Sequence, residues 1–425
     1  MNASPLYLLH PRYQCQQDAQ GRFRIGLPYS AKCLQGNQQL ATLLRNLAEK
    51  GLLSLDSLRQ ELGADLLHIL LLHCLLLRAD EVSALEHGFC SLPTHSAGQA
   101  LPLHDFANLQ AADVVLFHTP LESGQVAGVA VAGGGRWVRT HLHNSLRTPC
   151  ASQEQQDGML IDLDFAQCLP ASALRLFDAG DISYNRMQDS MRAIGQRCQA
   201  LCRRIAERHA YPLILGGDHT QAYYTIAGLQ ERWPRLGILH FDAHPDLYAI
   251  GATADGQLNH ANVFHAVRAL PHVSCIWQIG VRDMYFQPLH KVSSAQQASL
   301  HTLSAWEAAT QGYERMLKTL DPEIPWFISF DVDVLAQADA PQTATPVLGG
   351  LAWYPLLQLF EQLFSRLQIV GMEFVEIGEG SQSAHGPAAI AARLISRYLF
   401  HLRGAQTSPY QFFANPQQTI PHDQN

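Results

Sequence analysis

From about residue 112 onward the chain alternates short, uninterrupted apolar runs with longer amphipathic stretches. The runs are VVLF (114–117), PLILGG (212–217), LGILHF (236–241), CIWQIG (275–280), WFISFD (326–331) and IVGMEFVE (369–376). Helical periodicity fills 186–209, a stretch near 220–232 and another near 354–366. A strand with no polar face has to be covered on both sides, and strands joined through helices run parallel, so the pattern predicts an α/β domain with a parallel sheet covered on both faces.

The first hundred residues read differently. Residues 39–81 divide into three helical pieces, QLATLLRNLAEKG, LSLDSLRQELG and ADLLHILLLHCLLLRAD, punctuated by Gly51 and Gly63, with Ser54 or Asp56 as a cap for the second. Short helices, tight turns and a following extended stretch predict a small helical, winged-helix-like domain. The most lipid-like run, LLHILLLHCLLL (66–77), contains two His and is far shorter than the roughly twenty apolar residues a membrane span needs, so it is expected to be a buried helix. Residues 91–110 have the Pro, Gly, Ser and Thr content of a linker. The expected organisation is a helical domain with its linker over 1–100, a catalytic domain over 101–404 and an extended or poorly ordered tail over 405–425.

Composition narrows the partners. Of 425 residues, 47% are hydrophobic and 16% charged, the balance of a folded globular enzyme and not of a disordered or fibrous chain. A formal net charge of −8 without a basic run argues against nucleic acid as a partner and is compatible with a cationic substrate or a metal. Nine Cys, odd in number and with no CxxC pair, are expected to be reduced thiols in a cytoplasmic protein. The start, MNASPLYLLHPRYQ, lacks the charged flank and continuous apolar segment of a secretory signal, and no membrane partner is expected.

In parallel sheets, ligands gather beyond the carboxyl ends of the strands. Four apolar runs end there in polar residues: GGDHT (216–220) with His219, FDAHPD (241–246) with Asp242, His244 and Asp246, FDVD (330–333) with Asp331 and Asp333, and FVE (374–376) with Glu376. Side chains two apart on extended backbone point the same way, so Asp242, His244 and Asp246, and likewise Asp331 and Asp333, can converge. Four carboxylates and two imidazoles at one point would be desolvated at great cost unless a multivalent cation neutralised them. Carboxylate with imidazole and no thiolate suits Mn²⁺ and, less specifically, Fe²⁺, Co²⁺, Ni²⁺ or Zn²⁺, and six ligands suit two ions about 3.5–4 Å apart, the spacing of hydrolytic pairs.

The succession GGDHT, DAHPD, NHANVF, SFDVD with TATPVLGGL, and VGMEFVEIG resembles the ureohydrolases, the family of arginase, agmatinase and formimidoylglutamase, over roughly residues 112–402. LFDAGDIS (176–183) and the closing AAIAARLISRYL (388–399) also fit it. The resemblance implies a three-layer α/β/α fold with a mainly parallel sheet, assembled as a homo-oligomer, a trimer or hexamer. It implies two Mn²⁺ per subunit, one held by His219, Asp242, Asp246 and Asp331 and the other by Asp242, His244, Asp331 and Asp333. It further implies that a water shared by the ions attacks the guanidinium carbon, that Asp246 accepts its proton, that His260 protonates the departing amine, and that Glu376 orients the guanidinium.

DAHPDLY followed by a His-Ala pair is closest to the agmatinase branch. The chain departs from the family at AQADAPQTATP (336–346), where relatives read D-P-x-x-x-P-G-T-G-T-P, which implies a reshaped mouth. GVAVAGGGRWVRT (128–140) only loosely resembles the family's glycine-rich loop. The leading function is hydrolysis of a small guanidino compound to urea and an amine. A second is a peptide arginase that converts arginine side chains of an arginine-containing precursor to ornithine, with residues 1–100 docking the peptide. A third is a non-catalytic metal-binding relative.

Overall fold

In a computed structural model, the structure describes residues 6–78 except 10–12, 19, 27–32, 52 and 73–74; 101–102, 106, 109–123, 129–146, 159–182, 190–248, 258–284, 298–341, 343–378 and 386–407. Among the described residues no helix is long and apolar enough to cross a membrane.

The amino-terminal part begins with β1 (Leu6–Leu9), β2 (Gln14–Gln17), β3 (Phe23–Gly26) and β4 (Cys33–Gly36). It continues with α1 (Gln38–Lys50), β5 (Leu53–Ser54), α2 (Leu55–Leu72) and β6 (Leu76–Arg78). Asn37 caps α1 by accepting from the Leu40 amide, and Gly51 ends it at φ 70°. Ser54 is the cap of α2, accepting from the Ser57 amide at 3.1 Å. Gly63, at φ 74°, breaks α2 into two pieces, as its position predicts. Two antiparallel sheets accompany the helices, in the orders β5-β1-β6 and β2-β3-β4. The run 66–77 is helical only as far as Leu72, and its last residues belong to β6, which pairs with β1. The strands before residue 37 carry no alternation long enough to announce them; four-residue segments such as QCQQ gain their partners only in three dimensions. Leu9, Ile25, Leu44, Leu58, Leu70 and Leu76 belong to a core made entirely from this part of the chain. The boundary expected near residue 100 adjoins 79–100, a stretch outside the described residues.

The remaining strands are β7 (Leu101–Pro102), β8 (Val114–Thr119), β9 (Met159–Asp162), β10 (Gln167–Pro170), β11 (Leu176–Asp181), β12 (Tyr211–Gly216), β13 (Leu236–Phe241), β14 (Val273–Ile279), β15 (Ser299–Leu303), β16 (Trp326–Asp331), β17 (Ile369–Val375) and β18 (Gln406–Thr407). The helices are α3 (Gly135–Leu146), α4 (Met191–Glu207), α5 (Gln221–Ala227), α6 (Val263–Val267), α7 (Ala305–Gln311), α8 (Glu314–Leu317), α9 (Trp353–Arg366) and α10 (Pro387–Leu402). Nine strands form one sheet in the order β15-β14-β13-β16-β17-β12-β8-β11-β7. Every neighbouring pair in it is parallel.

Alternate residues of each strand enter different cores. Leu116, Leu215, Leu239 and Ile328 pack under α3, α9 and α10, whereas Val115, Ile214, Ile238 and Phe327 pack under α4, α5 and α6. This is the three-layer α/β/α arrangement expected for the main domain. Two segments differ from their reading. Leu101–Pro102, assigned to the linker, adds a strand at the sheet edge, where a proline's missing N–H costs no ladder bond. Gln406–Thr407, assigned to the tail, pairs antiparallel with β10; residues 408–425 lie outside the described residues.

LFDAGDIS also finds its reason in the fold. Arg139 of α3 is buried and bonds both oxygens of Asp178 at 3.0 Å, and it bonds Asp181 as well. Removing one member of such a set would strand a charge in the core, so the cluster ties α3 to the end of β11.

After β12 the chain skips two strand positions to make β13, and β16 and β17 fill the gap later. The carboxyl ends of β12, β17, β16 and β13 therefore lie side by side. They are the four strands that end in GGDHT, FVE, FDVD and FDAHPD.

Candidate metal centre

His219 follows β12 through a turn that only glycine permits, because a Cβ on Gly217 would stand 1.9 Å from the Leu121 carbonyl oxygen. The same turn binds the neighbouring strand end: the Glu376 amide donates to Gly217 O at 2.9 Å, and the His219 amide donates to Glu376 Oε1 at 3.0 Å. Asp246 and Glu376 sit at φ 51° and 60°, a region unfavourable to residues with a Cβ. Strain of this kind persists where surrounding bonds hold it, and it concentrates at working sites. The Asp246 carbonyl is held by the Phe264 and His265 amides that open α6.

All six residues proposed from the sequence as ligands come together. His219 Nδ1 lies 3.0 Å from Asp242 Oδ2, 3.3 Å from Asp246 Oδ2 and 3.4 Å from Asp331 Oδ2. His244 Nδ1 lies 2.9 Å from Asp333 Oδ2 and 3.4 Å from Asp242 Oδ1. Asp242 thus turns one oxygen to each histidine, the arrangement of a bridging ligand. Asp331 uses Oδ1 to accept from the Asp333 amide at 2.8 Å and turns Oδ2 to the His219 side.

A row of buried polar residues orients these ligands. Register places Gln278, His240, Ser329 and Glu373 opposite one another on β14, β13, β16 and β17. Glu373 accepts from Ser329 Oγ at 2.6 Å and from Gln221 Nε2 at 3.2 Å. With its hydrogen directed to Glu373, Ser329 Oγ accepts from His219 Nε2 at 2.9 Å, which leaves the Nδ1 lone pair facing the three aspartates. Gln278 Nε2 donates to Pro245 O and approaches His240 Nδ1 at 3.2 Å, so His240 carries its proton on Nε2 and donates to Asp242 Oδ2 at 2.8 Å. His240 also stacks on Phe264 at 3.5 Å, and burial pushes its pKa down to about 4, so it is neutral near pH 7.

The residues fit a cation pair. His219 Nδ1 is buried, has no hydrogen-bond partner and is aimed into carboxylate oxygens. A lone pair facing three carboxylates is tolerable only with a positive charge between them, and protons supply it when no metal does. Burial disfavours charge on His219 and His244, yet the aspartates outweigh it, holding His219 well above its ordinary pKa and His244 up at about 12. Burial and the charge of Asp242 raise Asp246 to about 7, and burial with Asp333 and Asp242 raises Asp331 strongly. Hard oxygen donors with two imidazoles and no thiolate are the donor set for Mn²⁺ and similar divalent ions.

The centre opens into a cavity of about 250 Å³ lined in part by His219, His244, Asp246, His260, Asp331 and Glu376. His260 stands on a turn fixed by a reciprocal cap, in which Asn259 Oδ1 accepts from the Ala261 amide at 3.1 Å and Asn262 Oδ1 from the Asn259 amide at 2.9 Å. Burial lowers the His260 pKa and keeps the ring neutral, while burial and Asp218 raise Glu376 well above the usual carboxylate range. Tyr248, Met284 and Thr345 complete the lip, with Met284 97% exposed. Thr345, in the divergent 336–346 segment, donates to Asp333 Oδ2 at 3.2 Å.

A model of the arginase family matches residues 144–401. The chain belongs to the arginase family. Like other members it is a hydrolase of the C–N bonds of guanidino and related amidine groups. It is 29% identical over 240 residues to an agmatinase of Serratia proteamaculans, covering 55% of this chain and 72% of that one. Among solved structures, the agmatine ureohydrolase of Thermoplasma volcanium shares the fold at a TM-score of 0.57 and 19% identity, over 76% of this chain and 97% of that one. The formimidoylglutamase of Bacillus subtilis also shares it, at 0.57 and 18%, over 71% and 90%.

His240, Ser329, Glu373, Gln278 and Thr345 had not been singled out as site residues. The signal for four of them is a polar residue flanked by apolar ones inside a run: His240 in LGILHF, Gln278 in CIWQIG, Ser329 in WFISFD and Glu373 in IVGMEFVE.

Proposed function

We propose that the chain holds two Mn²⁺ and cleaves the guanidino group of a small aliphatic guanidine to urea and an amine. The observation that carries the reading is Asp242, fully buried, with one oxygen toward His219 and the other toward His244, two residues that line a cavity together with Glu376. His219, Asp242, Asp246 and Asp331 would hold one ion, and Asp242, His244, Asp331 and Asp333 the other. Bound divalent cations supply a water acidic enough to be the nucleophile near neutral pH.

The chain's own groups do the rest. Glu376 pairs with the guanidinium, whose charge favours the ionised carboxylate, and presents its carbon to the centre. Asp246 accepts the proton released on attack. His260, neutral and with its Nδ1 unpartnered, takes up a proton in exchange for the one left on Asp246 and passes it to the nitrogen that leaves, and urea and the amine depart. Agmatine is the first candidate substrate, on the names of the relatives. Asp242→Asn should abolish urea release while the far-ultraviolet circular dichroism stays that of the wild type; an undiminished rate would refute the metal assignment.

One observation favours a second reading of the substrate. Residues 9–76 close a core of their own, with none of its members drawn from the main domain. A separately packed module suits a docking role, in which the guanidino group is an arginine side chain of a peptide and the product is ornithine. Removing residues 1–100 should then spare hydrolysis of agmatine and lose peptide processing; equal processing without them would sink this reading.

A further inference from the structure

Arg282 makes contacts that none of the roles above requires. It lies just past β14, beyond Gly280, which sits at φ 101° and on which a Cβ would stand 2.3 Å from Val334 Cγ2. That close approach brings Arg282 against the turn that carries Asp333. Its guanidinium donates to backbone carbonyls from two segments that flank the divergent loop. On the near side Nη2 reaches Asp333 O at 2.6 Å and Leu335 O at 3.4 Å, and Nη1 reaches Val334 O at 3.3 Å. On the far side Nη2 reaches Val347 O at 3.1 Å and Nε reaches Leu348 O at 3.1 Å.

The main chain of Arg282 adds a third tie. Its amide donates at 3.0 Å to the carbonyl of Ala243, the residue between Asp242 and His244. Ala243 in turn donates its own amide to Asp333 Oδ1 at 3.0 Å. One residue therefore fastens both ligand-bearing turns and closes the base of the segment that brings Thr345 to Asp333. A planar fork with five N–H donors can satisfy acceptors spread in this way, and an ammonium cannot. Because the guanidinium bonds the Asp333 carbonyl and not its carboxylate, the carboxylate stays available to a cation.

We propose that Arg282 is the positioning residue of the His244–Asp333 half of the centre, holding Asp333 and the Thr345 segment in register with Asp242 and His244. The inference rests on the two-ion reading above. His219 and Asp246 are held by other partners, Ser329 Oγ and the first amides of α6, so loss of the clamp weakens the second ion and spares the first.

The test uses the full chain as wild type, Arg282→Lys and Arg282→Met. Mn²⁺ is titrated into each and followed by electron paramagnetic resonance, which separates isolated ions from a spin-coupled pair. Amide hydrogen exchange is measured on the same proteins without metal. The expected result is a second Mn²⁺ bound about 10–100-fold more weakly, the usual loss when a residue that orients a ligand is removed. The first ion should keep its affinity, amides of 333–351 should exchange faster, and those of α4 should be unchanged. Two ions bound as in the wild type with unaltered exchange would overturn the proposal, and so would faster exchange throughout the sheet. If the Met variant does not fold, Arg282→Lys decides, since it keeps the charge and loses only the fork. If the wild type itself takes one ion, the two-ion reading fails and the exchange comparison alone judges the clamp.

Discussion

Ser329→Ala isolates the claim that the buried polar row sets which nitrogen of His219 faces the metal. The substitution removes the 2.9 Å contact with His219 Nε2 and the 2.6 Å bond to Glu373 Oε1, at a place closed to solvent. Each of the two buried groups left without its partner costs about 1–3 kcal/mol, so the cation-free chain should lose about 2–6 kcal/mol of stability. The lower end is favoured because Gln221 still donates to the second oxygen of Glu373. The stronger consequence is chemical. With Nε2 no longer committed to Ser329, the ring is free to carry its proton on Nδ1 and donate to the aspartates, in competition with a cation. Mn²⁺ affinity at the His219 side should fall about 10–100-fold, equivalent to about 1.4–2.7 kcal/mol. Urea denaturation of the metal-free protein gives the first number, and competition with a chelator of known affinity gives the second. A drop in stability with both Mn²⁺ affinities intact would refute the argument, since Ser329 would then only fill space.

Other consequences follow from the same geometry. Because His244, at about 12, and Asp246, at about 7, hold protons that a cation must displace, Mn²⁺ affinity should rise with pH between about 6 and 8, with protons released on binding; a flat profile by calorimetry in buffers of different ionisation enthalpy would contradict this. His240 is depressed to about 4, so between about 6.5 and 4 the unfolded chain binds a proton that the folded chain does not, and unfolding midpoints of metal-free protein should lose this contribution as pH falls through that window; His240→Phe should remove that part of the slope. Arg397 is fully buried between Asp162 and Glu361, and Arg397→Met should destabilise the chain by about 3–5 kcal/mol in urea denaturation while bound Mn²⁺ per chain is unchanged; a loss of metal would tie this distant network to the centre.

The ligands were legible because two periods coincide in them. An apolar run that ends in D-x-H-x-D or D-x-D announces both a buried strand and the side on which its last polar groups fall, and the structure collects His219, Asp242, His244, Asp246, Asp331 and Asp333 around two histidine nitrogens. The parallel sheet was legible for a related reason: a strand such as VVLF or LGILHF with no polar face has to lie between two layers. The amino-terminal strands were not, because QCQQ and CLQG become strands only through antiparallel partners, and their own side chains carry no face. The run 66–77 misled for a similar reason, since leucine fills a helix and a short buried strand equally well.

The polar row needed something a linear pattern does not contain, which is register. A serine in WFISFD, a glutamate in IVGMEFVE, a histidine in LGILHF and a glutamine in CIWQIG are each a polar residue flanked by apolar ones within a strand. The ladder pairs Gln278 with His240, His240 with Ser329 and Ser329 with Glu373, so the four form one line across four strands. His240 and Ser329 lie two residues before Asp242 and Asp331, on the same sides of their strands, and their bonds reach forward to Asp242 and to His219. The orientation of Asp242 and His219 is therefore set by the sheet, whereas Asp333 and Asp246 are held by the turns around its mouth. The 336–346 segment meets the centre through Thr345, which lines the cavity and donates to Asp333. On the two-ion reading the lip can change without moving Asp242 or His219, because the bonds that hold them come from the row beneath it.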